Sequence, residues 1–327
     1  MIEDKKMKKF IISNRSIFFA VLFLVIFLPA LSVSIFNLYE IYQTGKNEIK
    51  QETMFLSKLV VARQEQAIEE SRRLLSLLSL NSLLQNPDSA VCQDFLAKTL
   101  KQYPKYTNIV VLGGNGDILC SGIDIKQTLN LSYRNYFQEM LKSRYFVVGE
   151  YTIGAVTGKP VLPLAYPILS PSGEVTGSVV AYEDLSWMHE FNSEIHPPKG
   201  MSLLVLDKNG IVVDCFLEKD DCAGKKIEDV FLQGSILKER VDGTIQTKGL
   251  DGERKEYSFS TLNLGLFGEK MYVLVGMPNK IPLNFFTSIV VSNLMLLLST
   301  AGMAWMVSKK ESEACGYSFF GESKKKK

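Results

Sequence analysis

Hydrophobic and polar positions follow three different patterns along this chain. Two uncharged apolar stretches, Ile17–Phe36 and Ile281–Val307, bracket a long polar segment. A helix of about 20 apolar residues crosses a bilayer, so the stretches predict transmembrane helices over 17–38 and 281–307. After the first, Tyr39–Leu84 has no proline, a single glycine (Gly45) and much Glu, Gln, Lys, Leu and Arg. That composition predicts one long helix continuous with the span. Its apolar residues recur at Phe55, Leu59 and Ala62 and again at Leu74, Leu77 and Leu78. They give a face to bury, against its own domain or against a second copy of the chain. Asn86-Pro87-Asp88 ends this helix, since proline disfavours its continuation, and Ser89–Gln102 reads as a second helix.

Beyond residue 105 the pattern becomes strands and turns. Asn108–Leu112, a Gly113–Asp117 turn and Ile118–Cys120 predict a hairpin. The turn has no Gly-Lys-Ser/Thr ending and no helix follows it, so it is not read as a phosphate loop. The same unit returns at Ser202–Asp207, with an Asn209-Gly210 turn and Ile211–Asp214. Ser178–Tyr182 supplies a further strand in the first half, and Tyr257–Ser260 and Met271–Gly276 in the second. The expected fold is therefore α+β: a long N-terminal helix carrying two tandem antiparallel-sheet modules, over 88–195 and 200–279. His196-Pro197-Pro198-Lys199-Gly200 reads as the linker between them. Asp207 and Asp251, each beside a turn, read as turn residues rather than metal ligands.

Charge sets the orientation. Lys5, Lys6, Lys8, Lys9 and Arg15 precede the first span, and Lys309 and Lys310 follow the second. Basic flanks stay cytoplasmic, which places residues 1–16 and 308–327 inside and the modules outside. Residues 40–280 hold 26 basic and 30 acidic residues, a balance that argues against nucleic-acid binding. Ala30-Leu31-Ser32 loosely matches a cleavage site, but the apolar stretch exceeds the about 7–15 residues of a signal peptide and reads as an uncleaved anchor. Four of the five cysteines, Cys92, Cys120, Cys215 and Cys222, lie in the outer segment, where disulfides form. Of three possible pairings, placement favours Cys92–Cys120, clipping helix to strand, with Cys215–Cys222 across one charged loop. Cys315 is left in the tail as a reduced thiol. No CxxC pair is present and the chain has 2 histidines, so neither a metal nor a cofactor is expected. An outside enzyme lacks support for the same reason: there is no GxSxG elbow and no HExxH pair.

Several ordered motifs then point one way. Ser132–Gln138 reads Ser-Tyr-Arg-Asn-Tyr-Phe-Gln; Gly149–Tyr151, Thr157–Pro160, Leu164–Ile168, Gly173, Gly177 and Asp184-Leu185 follow. Together they resemble the membrane-distal half of a double Cache domain. Gly249–Gly252, Tyr257 and Tyr272–Gly276 resemble its membrane-proximal half, and the Cys92/Cys120 spacing with Pro104–Tyr106 between also recurs in that family. The resemblance covers about residues 40–280. It implies an extracytoplasmic small-molecule sensor of bacterial type, in which two PAS-like sheets stack on a long, dimerising helix. Ligand enters the distal sheet, and the signal crosses the membrane to a histidine kinase, a diguanylate cyclase or a chemotaxis domain. Residues 308–327 hold none of these, so the chain reads as a truncated receptor, or as a regulatory subunit that pairs with a full-length one.

Within the resemblance, Arg134 stands out as an anchor for a carboxylate, which a planar guanidinium grips with two parallel hydrogen bonds. Tyr136 is placed to wall the pocket, Tyr151 to donate through its hydroxyl, and Asp184 to receive an ammonium group. The same four match the amino-acid-binding subset of double Cache domains. Leu129 stands where that subset has tyrosine, and Ile153 where it has aspartate. Loss of that aspartate removes a counter-charge for an α-ammonium group and favours a carboxylate-bearing or neutral ligand.

Overall fold

A computed structural model describes residues 2–87, 89–125, 128–194, 200–217, 222–227, 242–250, 252–264, 270–278, 287 and 289–302. For helical residues 2–24, 26, 30, 89 and 191–193 only the backbone is described. Residues 196–199 of the predicted linker, Asp251, the charged loop 218–221 and the tail 308–327 with Cys315 lie outside the described residues. The chain divides into two compact units, residues 1–47 with 280–327 and residues 48–279.

In the first unit the chain is helical from Ile2, within α1 (Ile2–Ser79), and again at 287 and 289–302. Ser34 Oγ donates to Asn293 Oδ1 at 3.0 Å, and Asn293 Nδ2 donates to Ile289 O at 2.9 Å. Among the described residues no helix is long and apolar enough to cross a membrane. Residues 281–286, 288 and 303–307 of the second apolar stretch lie outside them, as do several side chains of the first.

The second unit consists of two antiparallel sheets on the C-terminal half of α1. After α1 come α2 (Ser82–Gln85) and α3 (Ser89–Gln102), then β1 (Tyr106–Gly113), β2 (Ile118–Ser121) and α4 (Asn135–Ser143). The distal module continues with β3 (Val147–Val148), β4 (Thr152–Ile153), β5 (Pro160–Leu169), β6 (Val175–Asp184) and α5 (Leu185–Ser193). The proximal module has β7 (Ser202–Leu206), β8 (Val212–Phe216), β9 (Gly243–Lys248), β10 (Arg254–Asn263) and β11 (Lys270–Pro278). The distal sheet runs β2-β1-β6-β5-β3 with β4 also on β5, and the proximal sheet β8-β7-β11-β10-β9. In both, the hairpin's first strand pairs with the module's last strand, so the repeat read in sequence is a repeat of topology.

Period-two alternation decides which side chains meet the helix. On the distal sheet, Ile109, Val111, Leu162, Leu164, Val179 and Ala181 join Ile68, Leu75 and Leu78 of α1 in one core. Leu203, Val205, Val273 and Val275 of the proximal sheet belong to the same cluster. The intervening residues build two outer cores. Val110, Val161, Ala165, Val180 and Tyr182 take Tyr136, Phe137 and Met140 of α4. Leu204, Leu206, Phe259 and Leu274 pack beneath Cys215–Cys222.

The long helix differs from expectation in two ways. It ends at Ser79 rather than at Asn86-Pro87. Leu80 and Asn81 donate to Leu77 O and Leu78 O in a tightened last turn. Asn81 Oδ1 then accepts the Leu83 amide at 3.0 Å and caps α2, diverting the chain. The buried face also matches the expected one only in part. Thr53, Ser57, Val60, Gln64, Ala67, Ser71, Leu75 and Leu78 are buried, whereas Phe55 is 66% and Leu77 69% exposed. Small hydroxyl residues let α1 lie close to the sheets: Thr53 Oγ1 lies 2.6 Å from Ser258 Oγ, and Ser57 Oγ 2.8 Å from Ser260 Oγ. Of the apolar residues read as one face, Leu78 is buried and Leu74 packs against the core, while Phe55, Leu59, Ala62 and Leu77 are exposed.

Both disulfides take the expected pairing, Cys92–Cys120 and Cys215–Cys222, each with Cα atoms 6.1 Å apart. The first ties α3 to β2. The Gly113–Asp117 segment is a turn: Gly116 donates to Gly113 O at 2.9 Å with φ at 87°. A side chain at Gly116 would also strike Ser132 at about 2.6–2.7 Å.

Candidate ligand site in the distal module

Arg134 opens α4 as its N-cap, with extended backbone (φ −74°, ψ 132°) and no capping bond from its side chain. The guanidinium instead reaches across to the sheet. Nη1 donates to Thr152 Oγ1 at 2.7 Å and Nη2 to Ile153 O at 3.3 Å, while Tyr133 lies 5.1 Å from it face-on. It pairs with neither Glu139 nor Asp184 among the described residues, so no carboxylate competes for it. A guanidinium has five N–H donors, and two of them are used here.

Beside it, Tyr136 Oη and Tyr182 Oη are 2.8 Å apart, with rings edge to face at 6.3 Å between centroids. Burial pushes the Tyr136 phenol up to about 12, opposed by its bond to Tyr182 and by Arg134. Burial, with Tyr136 next to it, raises Tyr182 well above its ordinary value, and Arg134 again opposes. Both phenols stay neutral at working pH. Two phenols sharing one bond use one hydrogen, which leaves a second O–H beside Arg134 for another acceptor.

Register places the remaining polar groups. Thr152 pairs with Val161, and Val161 with Asp184, so the three stand in a row across β4, β5 and β6. Paired residues share a sheet face. Asp184 is already occupied: Oδ2 is 3.3 Å from Lys159 Nζ, and Oδ1 accepts the Ser186 amide at 2.9 Å, capping α5. The ammonium that meets Asp184 is thus the chain's own. Lys159 reaches it from the end of the turn before β5, where Gly158 has φ 68°.

Tyr151 lies apart from this group. It sits between β3 and β4 rather than on a strand, and its amide donates to Asp207 Oδ2 of the proximal module at 3.3 Å. Its ring packs against the core on α1, and its hydroxyl lies where a side chain at Gly224 would stand, 2.6 Å from that Cβ position. Asp207 serves its turn as expected, Oδ1 accepting from Asn209 and Ile211 at 2.9 Å each, and also holds Tyr151. Burial raises the Asp207 carboxyl, against three amide donors that lower it. Ile153, at the position lacking aspartate, is 47% exposed and contributes its carbonyl.

Three residues of the site were not singled out from sequence: Thr152, Lys159 and Tyr182. Tyr182 was within reach, because it shares parity with Asp184 on a strand already read. Thr152 and Lys159 depend on the β4–β5 pairing, which no local pattern shows. Among the described residues no cluster of His, Cys, Asp and Glu fits a metal.

Comparison with known proteins agrees with this architecture. The Cache domain model dCache_1 matches residues 41–283. Sporulation kinase D of Bacillus subtilis (strain 168) is 24% identical over 175 residues, 53% of this chain and 34% of that protein. The chain thus spans about a third of that curated relative. Among solved structures, the extracellular domain of rpHK1S-Z16, described as a histidine kinase, has TM-score 0.62 at 17% identity, covering 71% of this chain and 95% of that one. The ligand-binding domain of the Pseudomonas fluorescens chemoreceptor CtaA, solved with L-isoleucine, has TM-score 0.56 at 15% identity over 75% and 99%. That of the Pseudomonas aeruginosa PAO1 amino acid chemoreceptor PctB, with L-Arg, has 0.57 at 15% over 71% and 96%. With a family model covering most of its length and two PAS-like sheets on one helix, the chain belongs to the double Cache (dCache_1) family of sensor domains.

Proposed function

We propose that this chain is the extracytoplasmic sensor of a two-pass membrane receptor, and that its distal module binds a small carboxylate. The observation that carries this is Arg134, anchored by Thr152, flanked by a neutral phenol pair and paired with no carboxylate among the described residues. An anionic oxygen set against it gains charge-assisted, bidentate hydrogen bonds in a partly desolvated site. The ligands printed for CtaA and PctB are amino acids. Here Asp184 is neutralised by Lys159 and Ile153 replaces a carboxylate, so the preferred ligand carries a carboxylate without requiring an α-ammonium partner.

The membrane part of the reading rests on the two uncharged apolar stretches and their basic flanks. Within the first unit, the Ser34–Asn293 hydrogen bond joins these stretches, as polar side chains do between helices in lipid. The uncovered Phe55, Leu59 and Leu77 edge of α1 suits pairing with a second copy. Ligand binding then shifts a population between two helix arrangements, read by a cytoplasmic signalling partner of kinase, cyclase or chemotaxis type.

The test is a thermal-shift screen of the full chain in detergent against mono- and dicarboxylates, α-amino acids, amines and sugars. Stabilisation by carboxylates lacking an amino group supports the reading. Stabilisation confined to amines or sugars contradicts it.

A further inference from the structure

A cavity of about 530 Å³ opens where α1 meets both modules, with none of the distal site's residues in its wall. Glu65, Glu69 and Arg72 line it from successive turns of α1, Tyr145, Phe146 and Tyr166 line it from the distal module, and the end of β10 closes it.

Its charges are unequal in availability. Arg72 grips Glu69 with two bonds, Nε to Oε2 at 2.7 Å and Nη2 to Oε1 at 2.6 Å, and Arg73 Nε adds a third at 3.2 Å. Glu69 and Arg72 therefore cancel. Glu65, one turn away, has no ion pair or hydrogen bond with any described residue. Glu65 is thus the one carboxylate of the cavity wall without an ion pair among the described residues. The opposing wall is aromatic: the Phe146 and Tyr166 rings are 6.5 Å apart and tilted by 40°, and Tyr166 Oη accepts from Ser76 Oγ at 3.3 Å. Tyr145 is 53% exposed. These rings are delivered by Arg144, the one non-glycine residue with positive φ (58°) among the described residues. Left-handed backbone at a non-glycine residue costs energy and concentrates at binding sites.

We propose that this cavity binds a small organic monocation, a protonated amine on an aromatic or apolar body, with Glu65 taking the ammonium and Phe146, Tyr145 and Tyr166 enclosing the body. An ammonium over aromatic faces is attracted by the ring quadrupole, and a carboxylate at the rim fixes its orientation. The occupant touches α1 and both modules at once and so favours the packing of all three seen here. It is a second chemical input, independent of the Arg134 site.

The test is calorimetric titration of the full chain in detergent with phenethylammonium, its neutral counterpart 2-phenylethanol and its anionic counterpart phenylacetate. The cation is expected to bind at least about tenfold more tightly than either. Glu65 is exposed, so Glu65→Gln leaves the fold intact and should bring the cation down to the level of the alcohol. Phe146→Leu should weaken it as well, and Arg134→Ala should leave it unchanged. Equal binding of the three compounds, undiminished binding in Glu65→Gln, or loss of the cation in Arg134→Ala would overturn the proposal.

Discussion

Lys208, in the turn of the proximal hairpin, donates its ammonium to Glu139 on α4, the helix that Arg134 begins. The same ammonium is 3.6 Å from Glu150 Oε1. The ligand-site helix of one module is thus held by the first hairpin of the other, and the Tyr151–Asp207 bond lies beside it. On the proposed function, a ligand that moves α4 acts on the proximal hairpin through this cation.

Lys208→Met tests that link. It leaves Glu139 and Glu150 facing each other without their shared cation. The side chains are a quarter to a third exposed, so solvent screening limits the cost to about 1 kcal/mol by chemical denaturation. Ligand affinity at Arg134 should hold. In hydrogen exchange, a carboxylate is expected to protect β7 and β8 in the wild type and to leave them unprotected in Lys208→Met.

Glu183 gives a pH dependence of known sign. It is buried on the α1 side of β6, and burial raises its carboxyl from 4.5 to about 7, with Lys105 opposing. The folded state therefore holds a proton that the unfolded state has lost between those values. Stability falls as pH rises from about 4.5 to 7 and levels off above, by up to about 3 kcal/mol. Glu183→Gln should remove this slope from a series of denaturation curves. A slope identical to the wild type's would assign the dependence to other groups.

The two disulfides should differ in weight. Cys92–Cys120 closes a separation of 28 residues and Cys215–Cys222 one of 7. Loop-closure entropy then assigns about 3–4 kcal/mol to the first and about 2 kcal/mol to the second. Pairwise Cys→Ser variants, compared by denaturant midpoint under non-reducing conditions, check both size and order.

What could be read in advance depended on how local each signal was. The hairpins, Ser89–Gln102 and the module repeat follow from alternation and turn residues, and they stand where expected. The buried face of α1 was legible only in part, because much of it is polar: Thr53 and Ser57 pair with Ser258 and Ser260 of the proximal sheet, and Ser71 with Lys105 and Tyr106. Arg134 and Tyr136 come from one motif within a turn of helix, which by itself brings them close together. Tyr151 comes from a separate motif, Gly149–Tyr151, and its amide bonds to Asp207 of the proximal module, a contact no local pattern shows. Asp184 was read as an open counter-charge, and only the β4–β5–β6 register shows Lys159 already there.

The proposed membrane pair is open to cross-linking. Ser34→Cys with Asn293→Cys, in otherwise intact chain embedded in lipid vesicles, should form an intramolecular disulfide on mild oxidation. Asn293→Leu should weaken helix association by about 0.6 kcal/mol. Failure to cross-link in lipid, with cross-linking retained in detergent, would contradict the arrangement.

The central claim is that Arg134 anchors a carboxylate in the distal module, and its most direct measurement is the ligand-induced stabilisation of Arg134→Ala beside the wild type. A carboxylate at about 100 times its Kd should stabilise the wild-type chain by about 2.7 kcal/mol. In folded Arg134→Ala that gain should vanish, and in Arg134→Lys it should return only in part, because a point charge cannot reproduce the bidentate grip. An undiminished gain in folded Arg134→Ala would place the ligand elsewhere.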